Sequence, residues 1–448
     1  MRFSSLWCQR RIAALFTLLT LTLGAALAAP AERAPYGQRD DVLRFAAALA
    51  ERRPELDAAW VREQLAQARF VPAAVQLIMP PPAGTAKNWA AYRARFIERE
   101  RIAAGVAFWR ANRAWLARAE ERWGVPPEIV VGIVGVETFY GRVMGNFRSL
   151  DALATLSFDF PAGRRDRAPF FREQLEELLL WCNREGRDPK SVMGSFAGAI
   201  GLPQFMPGSI NRYAVDFDGD GRIDLIRTDN AADVIGSVAR YLAAFGWQRG
   251  LPTHYTVAAP VAVVDRATLL VPDIVPSFSP AQFIERGAEL PPEALAHNGL
   301  LALVELQNGA AAPSYVAGTS NFYAITRYNW SSYYALAVIE LGSEIARAMP
   351  PIEMPINAAV SAVVSGPWQL MARHGECSDL SLLQRKIPDL AAVGEPEGFI
   401  QQMRDKGHAA SADVFPGTQG RAVAVKVPAL DLDLVFATRE LCARTGAR

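Results

Sequence analysis

One carboxylate stands where a carboxylate is costly. The stretch Gly124-Val-Pro-Pro-Glu-Ile-Val-Val-Gly-Ile-Val-Gly-Val-Glu137-Thr-Phe-Tyr-Gly141 is an apolar run with Glu137 near its end. Pro126 and Pro127 suit a helix start, because first-turn N–H groups have no intrahelical partner to lose. Ile133 and Val134 lie four and three positions before Glu137, on its helical face. Gly141 can end the helix. A carboxyl in such surroundings resists ionisation, so its pKa should rise toward the range that a general acid needs near neutral pH. The alternative is a buried structural glutamate bonded to backbone or tyrosine.

A second chemical stretch is Met193-Gly-Ser195-Phe-Ala-Gly-Ala-Ile-Gly-Leu-Pro-Gln204-Phe-Met-Pro-Gly208. Its glycines and prolines imply a tight path along which backbone can approach a ligand. Ser195 and Gln204 are polar residues in apolar surroundings. They can bind amide or hydroxyl groups, or simply serve the loop and the surface.

The third is Asp216-Phe-Asp218-Gly-Asp220-Gly-Arg222-Ile-Asp224. Alternating carboxylates with glycine at the sixth place match the start of an EF-hand calcium loop. Asp216, Asp218 and Asp220 offer side-chain oxygens, Arg222 its carbonyl, and Asp224 the ninth ligand. Arg227 stands at the twelfth place, where a bidentate Glu belongs. Asp229 or Asp233 can supply the missing ligand through a longer loop. The role expected is structural.

These stretches need elements to hold them. Helices are expected from Asp40 to about Gln76 with a break at Arg53-Pro54, over Trp89–Trp123, over Phe170–Asn183, over Asp233–Phe245 and over Ser331–Ala348. The period shortens between 255 and 316, where short strands are expected at 256–264, 269–271, 301–306 and 314–316. Residues 321–330 read as a strand-to-loop edge. Residues 349–355 form a Pro-rich linker, and 356–448 carry no readable motif. The fold class is mainly α (α+β).

The chain has 448 residues, enough for two or three domains. A net charge of +1 argues against a nucleic-acid binder. Residues 1–28 read as a secretory signal: Arg2, Arg10 and Arg11, then the apolar stretch Ile12–Leu27, then Ala26-Leu27-Ala28 as cleavage site. Cys8 precedes the apolar core and does not suit lipid attachment. The mature protein is expected to be exported and soluble, with no transmembrane span. Cys377 and Cys442 can pair in an oxidising compartment.

Taken in order, several segments resemble the B-type lytic transglycosylases of glycoside hydrolase family 103. They are Val136–Gly141, Leu153–Asp159, Gly194–Gly201 with Pro203–Pro207, Asp216–Gly221, Ile235–Leu242 and Asn321–Asn329. The resemblance covers roughly 36–348 and stops short of 356–448. It implies a lysozyme-like helical catalytic fold with a small β insertion. It implies cleavage of the MurNAc-β-1,4-GlcNAc bond of peptidoglycan with a 1,6-anhydromuramoyl product, in the periplasm and without a catalytic cofactor. Glu137 matches the single acid/base. Ser195, Gln204, Tyr328 and Asn329 match residues lining the saccharide groove, and the Asp216–Asp224 loop matches a cation site, for which structural Ca2+ is the candidate ion. A few extra residues precede Asp233. The C-terminal region is a candidate module for cell-wall enzyme partners. A hydrolytic muramidase and a non-catalytic peptidoglycan-binding protein are the alternatives.

Overall fold

The computed structural model describes residues 34–80, 84–349, 368–371, 377–378, 396–414, 422–427, 432–438 and 441–442. The expected signal, residues 1–28, and most of the linker 349–355 lie outside them. The chain divides into two compact units, one of residues 1–80, 145–199 and 206–208, the other of 81–144, 200–205 and 209–448. Among the described residues no helix is long and apolar enough to cross a membrane.

In the first unit, the helical stretch expected from Asp40 is three helices, Asp40–Arg52, Ala58–Ala66 and Pro72–Leu77. Asp57 caps the second by accepting from the Trp60 N–H. Two further helices, Ser149–Phe158 and Ala168–Arg184, pack on each other. Asp151, almost fully buried, accepts from the Arg69 N–H and thereby ties the chain ahead of Pro72 to this pair. A two-residue antiparallel bridge joins Phe147–Arg148 to Met193–Gly194.

The second unit holds the Glu137 helix, Pro127–Thr138. It starts where the prolines predict, but it stops earlier than Gly141. Phe139 and Tyr140 already take left-handed φ values of 51° and 56°, and Gly141 continues the turn at 92°. Ile129 to Gly135 are buried without interruption, so the helix is covered on all sides. Its principal neighbour is the Ser332–Ala348 helix. The two approach so closely that a Cβ on Gly132 would lie 2.3 Å from the Val338 carbonyl oxygen, and one on Gly342 2.1 Å from that of Glu128. Arg99–Ala111 and Arg113–Trp123 complete the surround, and the long helical stretch expected over 89–123 is broken into these two and Trp89–Arg93.

The β-containing segment is a three-stranded antiparallel sheet of His254–Thr256, Ala302–Asn308 and Ala311–Gly318, with the last of these central. The strands expected at 256–264 and 269–271 are replaced by a helix, Val263–Leu270. Short apolar runs do not separate strand from helix by periodicity. Here Leu269 is the buried anchor against the sheet, while Val263 and Val264 face solvent. Residues 320–326 are likewise a helix rather than an edge strand, started by Thr319, which accepts from the Asn321 N–H. The C-terminal region, unread from sequence, contains a five-stranded antiparallel sheet in the order 377–378, 368–371, 432–438, 422–427, 411–414. Phe399, Ile400 and Met403 of the Pro396–Asp405 helix fill one core with Val423, Val425 and Phe436. Cys442 is disulfide-bonded, while the side chain of Cys377 lies outside the described residues.

The close helix crossing yields a stability prediction. Gly342→Ala forces the Ser332–Ala348 helix off the Glu137 helix and should lower the thermal midpoint by about 3–8 °C, read by calorimetry. An unchanged midpoint would show that the crossing has slack.

Candidate active site

Glu137 sits in the last turn of its helix, where the covered apolar face meets an opening. It is half-buried, and enough protein packs around it that desolvation pushes its carboxyl up to about 7. The opposing influence is one hydrogen bond: the Tyr334 hydroxyl donates to Glu137 Oε1 at 2.5 Å. No other charged group among the described residues contributes to the shift. Burial first, and then the charge of Glu137, push the Tyr334 phenol well above its usual range, so it stays a neutral donor. Ser331 caps the helix carrying Tyr334, its hydroxyl accepting from the Tyr334 N–H at 3.3 Å.

The turn after Glu137 is held from three directions. The Arg101 guanidinium donates to the Gly135 carbonyl at 2.7 Å and lies 4.3 Å from the centre of the Phe139 ring. The Thr138 hydroxyl donates to the Leu202 carbonyl at 3.1 Å. Gln204 donates from its amide to the carbonyls of Met144 at 3.2 Å and Gly201 at 2.8 Å. Both amide hydrogens are thereby committed, which leaves the side-chain oxygen of Gln204 to meet a ligand. Gln204 itself has φ 49°. Of the four non-glycine residues with left-handed φ among those described, Phe139 and Tyr140 form the turn directly after Glu137 and the third is Gln204. Strain of this kind persists where the surroundings over-determine the backbone.

Tyr328 donates to the Pro203 carbonyl at 2.5 Å. Its ring stacks on Tyr334, with centres 6.3 Å apart and planes 16° from parallel. Tyr241 packs 4.9 Å from Tyr328 and donates to the Arg327 carbonyl at 2.7 Å. Glu137, Gln204 and Tyr328 thus belong to one unit and one cluster. Asn329, next in chain, is exposed. Ser195 belongs to the other unit, where its Oγ accepts from the Ala199 N–H at 3.1 Å and the Ala197 N–H at 3.3 Å. It organises its own turn and retains its hydroxyl hydrogen to donate.

In the Asp-rich loop, oxygens of Asp216, Asp218 and Asp233 lie within 4.8 Å of one another. Asp233 is nearly fully buried and accepts from the N–H groups of Phe217 at 2.7 Å and Asp224 at 2.8 Å. Burial, and behind it the charge of Asp218, raise the Asp233 carboxyl above its usual range. Asp229 is turned to Arg227, in a two-pronged pair at 2.9 and 2.6 Å. Asp220 and Asp224 accept from loop N–H groups, those of Arg222 and Ile226 respectively. Three gathered carboxylates, one of them buried, are an oxygen-donor set suited to a hard divalent cation.

Sequence reasoning missed Tyr334, Tyr241 and Tyr92, the last a phenol raised by burial and then by the charge of Glu137. Tyr334 lies 197 residues from Glu137, and no spacing connects them. The only sequence cue is a Tyr333-Tyr334 pair opening a helix. The Glu137–Tyr334 bond sets a testable balance. Because that bond holds the carboxyl down against burial, Tyr334→Phe should move the Glu137 pKa further above about 7, seen in a carboxyl-carbon NMR titration. A fall would overturn the assignment of the bond.

The Transglycosylase SLT domain family matches residues 38–343. The chain is 42% identical over 298 residues to the membrane-bound lytic murein transglycosylase B of Escherichia coli (strain K12), covering 64% of this chain and 78% of that one. It is 38% identical, with TM-score 0.60, to the Escherichia coli lytic transglycosylase Slt35 solved in complex with calcium, over 70% of this chain and 94% of that one. A third likeness, in fold alone, is to SltB3 of Pseudomonas aeruginosa in complex with NAG-anhNAM-pentapeptide. It has 23% identity and TM-score 0.55, and covers 90% of this chain and 99% of that one. The desolvated glutamate at the end of its helix, the tyrosine cluster around it and these matches converge: the chain belongs to the Transglycosylase SLT domain family, among the B-type lytic murein transglycosylases, enzymes that cut peptidoglycan.

Proposed function

We propose that Glu137 is the single acid and base with which this chain cleaves the MurNAc-β-1,4-GlcNAc bond. The observation that carries this reading is the Glu137 environment: a carboxyl raised to about 7 by burial, with Tyr334 as its one hydrogen-bond partner and no second carboxylate shifting it among the described residues. Most glycosidases divide the work between two carboxylates. One suffices if the substrate supplies the rest. Protonated Glu137 gives its proton to the leaving glycosidic oxygen, while the 2-acetamido oxygen of the muramoyl sugar supports the anomeric carbon. The ionised Glu137 then takes the proton from the same sugar's C6 hydroxyl, whose oxygen bonds to C1. The product is a 1,6-anhydromuramoyl end. No water is consumed, and the chemistry calls on no cofactor.

The supporting roles follow from donors and acceptors. Tyr334 orients Glu137 and steadies its ionised form after the first proton transfer. Gln204, through its free side-chain oxygen, and Tyr328 and Asn329, at the edge of the cluster, position the glycan. Ser195, with a hydrogen left to donate, orients the acetamido group. Asp216, Asp218 and Asp233 hold a structural divalent cation, with calcium the ion that suits an all-oxygen set, and Asp220, the Arg222 carbonyl and Asp224 complete it. A peptidoglycan substrate and the signal-like pattern of residues 1–28 support a periplasmic location.

Three outcomes test this reading. Glu137→Gln should abolish release of anhydromuropeptides from purified sacculi, as read by mass spectrometry. Full release would sink the mechanism, and reducing ends in their place would identify a hydrolase. The pH dependence follows from the sign of the shift. The acid must be protonated at the outset, so kcat/KM should fall as pH rises through about 7, whereas an unshifted glutamate would lose activity near the ordinary glutamate value of 4.5. Calcium should raise the thermal midpoint of the native chain, and Asp233→Asn should remove that rise. An equal rise in the variant would place the cation elsewhere.

A further inference from the structure

The first unit holds a cavity of its own. It measures about 420 Å³, within the roughly 300–1,000 Å³ of small-ligand pockets, and it shares no lining residue with the Glu137 cluster. Trp60, Glu63 and Gln64 form one wall, at positions i, i+3 and i+4 of the Ala58–Ala66 helix and so on one of its faces. The other wall is the end of the Ala168–Arg184 helix and the turn behind it, from Cys182 to Lys190. Hydrogen bonds fix that turn. The Arg187 N–H donates to the Cys182 carbonyl at 2.8 Å, and Asp188 accepts from the Lys190 N–H at 3.0 Å.

Two polar atoms on this cavity want partners. Gln64 is only 5% exposed, and its Oε1 is buried with no hydrogen-bond partner among the described residues. Arg187 Nε is buried and unpartnered in the same sense, with the guanidinium 5.1 Å from the centre of the Trp181 ring. Buried polar groups are nearly always satisfied in native folds, so a buried acceptor and a buried donor left open on one cavity point to a ligand that supplies both. The rim charges, by contrast, are linked to one another. Lys190 Nζ donates to Gln67 Oε1 at 2.7 Å and lies 3.7 Å from Asp188, and the Gln67 amide donates to Glu63 at 3.3 Å. Glu63 and Asp188 balance Arg187 and Lys190. Burial pushes the Cys182 thiol up to about 12, so it adds no charge.

The ligand that suits this cavity is neutral, carries one N–H donor and one acceptor, and has an apolar face for the Trp60 indole. A 2-acetamido sugar meets each demand. We propose that the cavity is a second saccharide site, separate from the catalytic cluster, that holds an N-acetylhexosamine of the glycan strand. The acetamido N–H donates to Gln64 Oε1, the acetamido oxygen accepts from Arg187, and the pyranose face lies on Trp60. The site grips polymer and performs no chemistry. It rests on the proposed function only in that the substrate is peptidoglycan glycan, not in the role of Glu137.

Binding is tested on full-length Glu137→Gln protein. Titration with N-acetylglucosamine should shift the Trp60 indole N–H resonance, which is assigned by its loss in Trp60→Phe. Glucosamine, which lacks the acetyl group, should not shift it. Gln64→Met removes the unmet oxygen at nearly constant volume. It should keep or raise the thermal midpoint while weakening the Trp60 response about fivefold. With Glu137 intact, Gln64→Met and Arg187→Ala should each raise KM on peptide-free glycan strands about three- to tenfold and leave kcat unchanged. A Trp60 resonance that ignores the sugar, or an unchanged KM, would overturn the proposal. So would a lower midpoint with an undiminished Trp60 response, which would make Gln64 structural. An effect on KM confined to peptide-bearing strands would assign the cavity to peptide instead. Failure of the acid assignment is separable: it would appear as release of anhydromuropeptides by Glu137→Gln, whatever the Trp60 titration shows.

Discussion

The structure depends on one opposition, between the loss of water around Glu137 and the single hydroxyl that answers it. An apolar helix covered on all sides carries a carboxyl to its last turn and holds it protonated near neutrality. Were the carboxyl fully buried with no partner, it would stay neutral and give up its proton poorly. Were it in water, it would be ionised before substrate arrived. Tyr334 at 2.5 Å sets the balance between these limits, and it stays a donor because its own burial keeps its proton on.

Much of the surrounding structure serves that geometry. The backbone contact of the Glu137 helix with the Ser332–Ala348 helix, at Gly132 and Gly342, brings Tyr334 into reach. Three left-handed residues, Phe139, Tyr140 and Gln204, are a standing cost at the mouth of the site. They are held by Arg101 on the Gly135 carbonyl, by Thr138 on the Leu202 carbonyl and by the two amide bonds of Gln204. These bonds fix where the helix ends, and so where the Glu137 carboxyl points. The Asp-rich loop performs a different task. Asp233 reaches back from the first turn of a buried helix to gather the loop's N–H groups, so the loop is already folded for an oxygen-loving ion.

The sequence by itself determined the Glu137 helix, the carboxylate at its end and the family. Pro126-Pro127, the apolar run and Glu137 carry their meaning locally, because helix starts and helical faces are read within a few residues. The carboxylate spacing of Asp216 to Asp224 is local too. Tertiary structure decided the rest. Tyr334, Tyr241 and Tyr92 are defined by contacts across long separations, which no periodicity encodes. Whether Asp229 or Asp233 joins Asp216 and Asp218 depended on Arg227 claiming the former. Val263–Leu270 and Ser320–Thr326 became helices where strands were expected, since a short apolar run fits either period until its neighbours decide. The end of the Glu137 helix, short of Gly141, was settled by the Arg101 guanidinium on the Gly135 carbonyl and by the Leu202 carbonyl that receives the Thr138 hydroxyl, partners that lie far off in the chain.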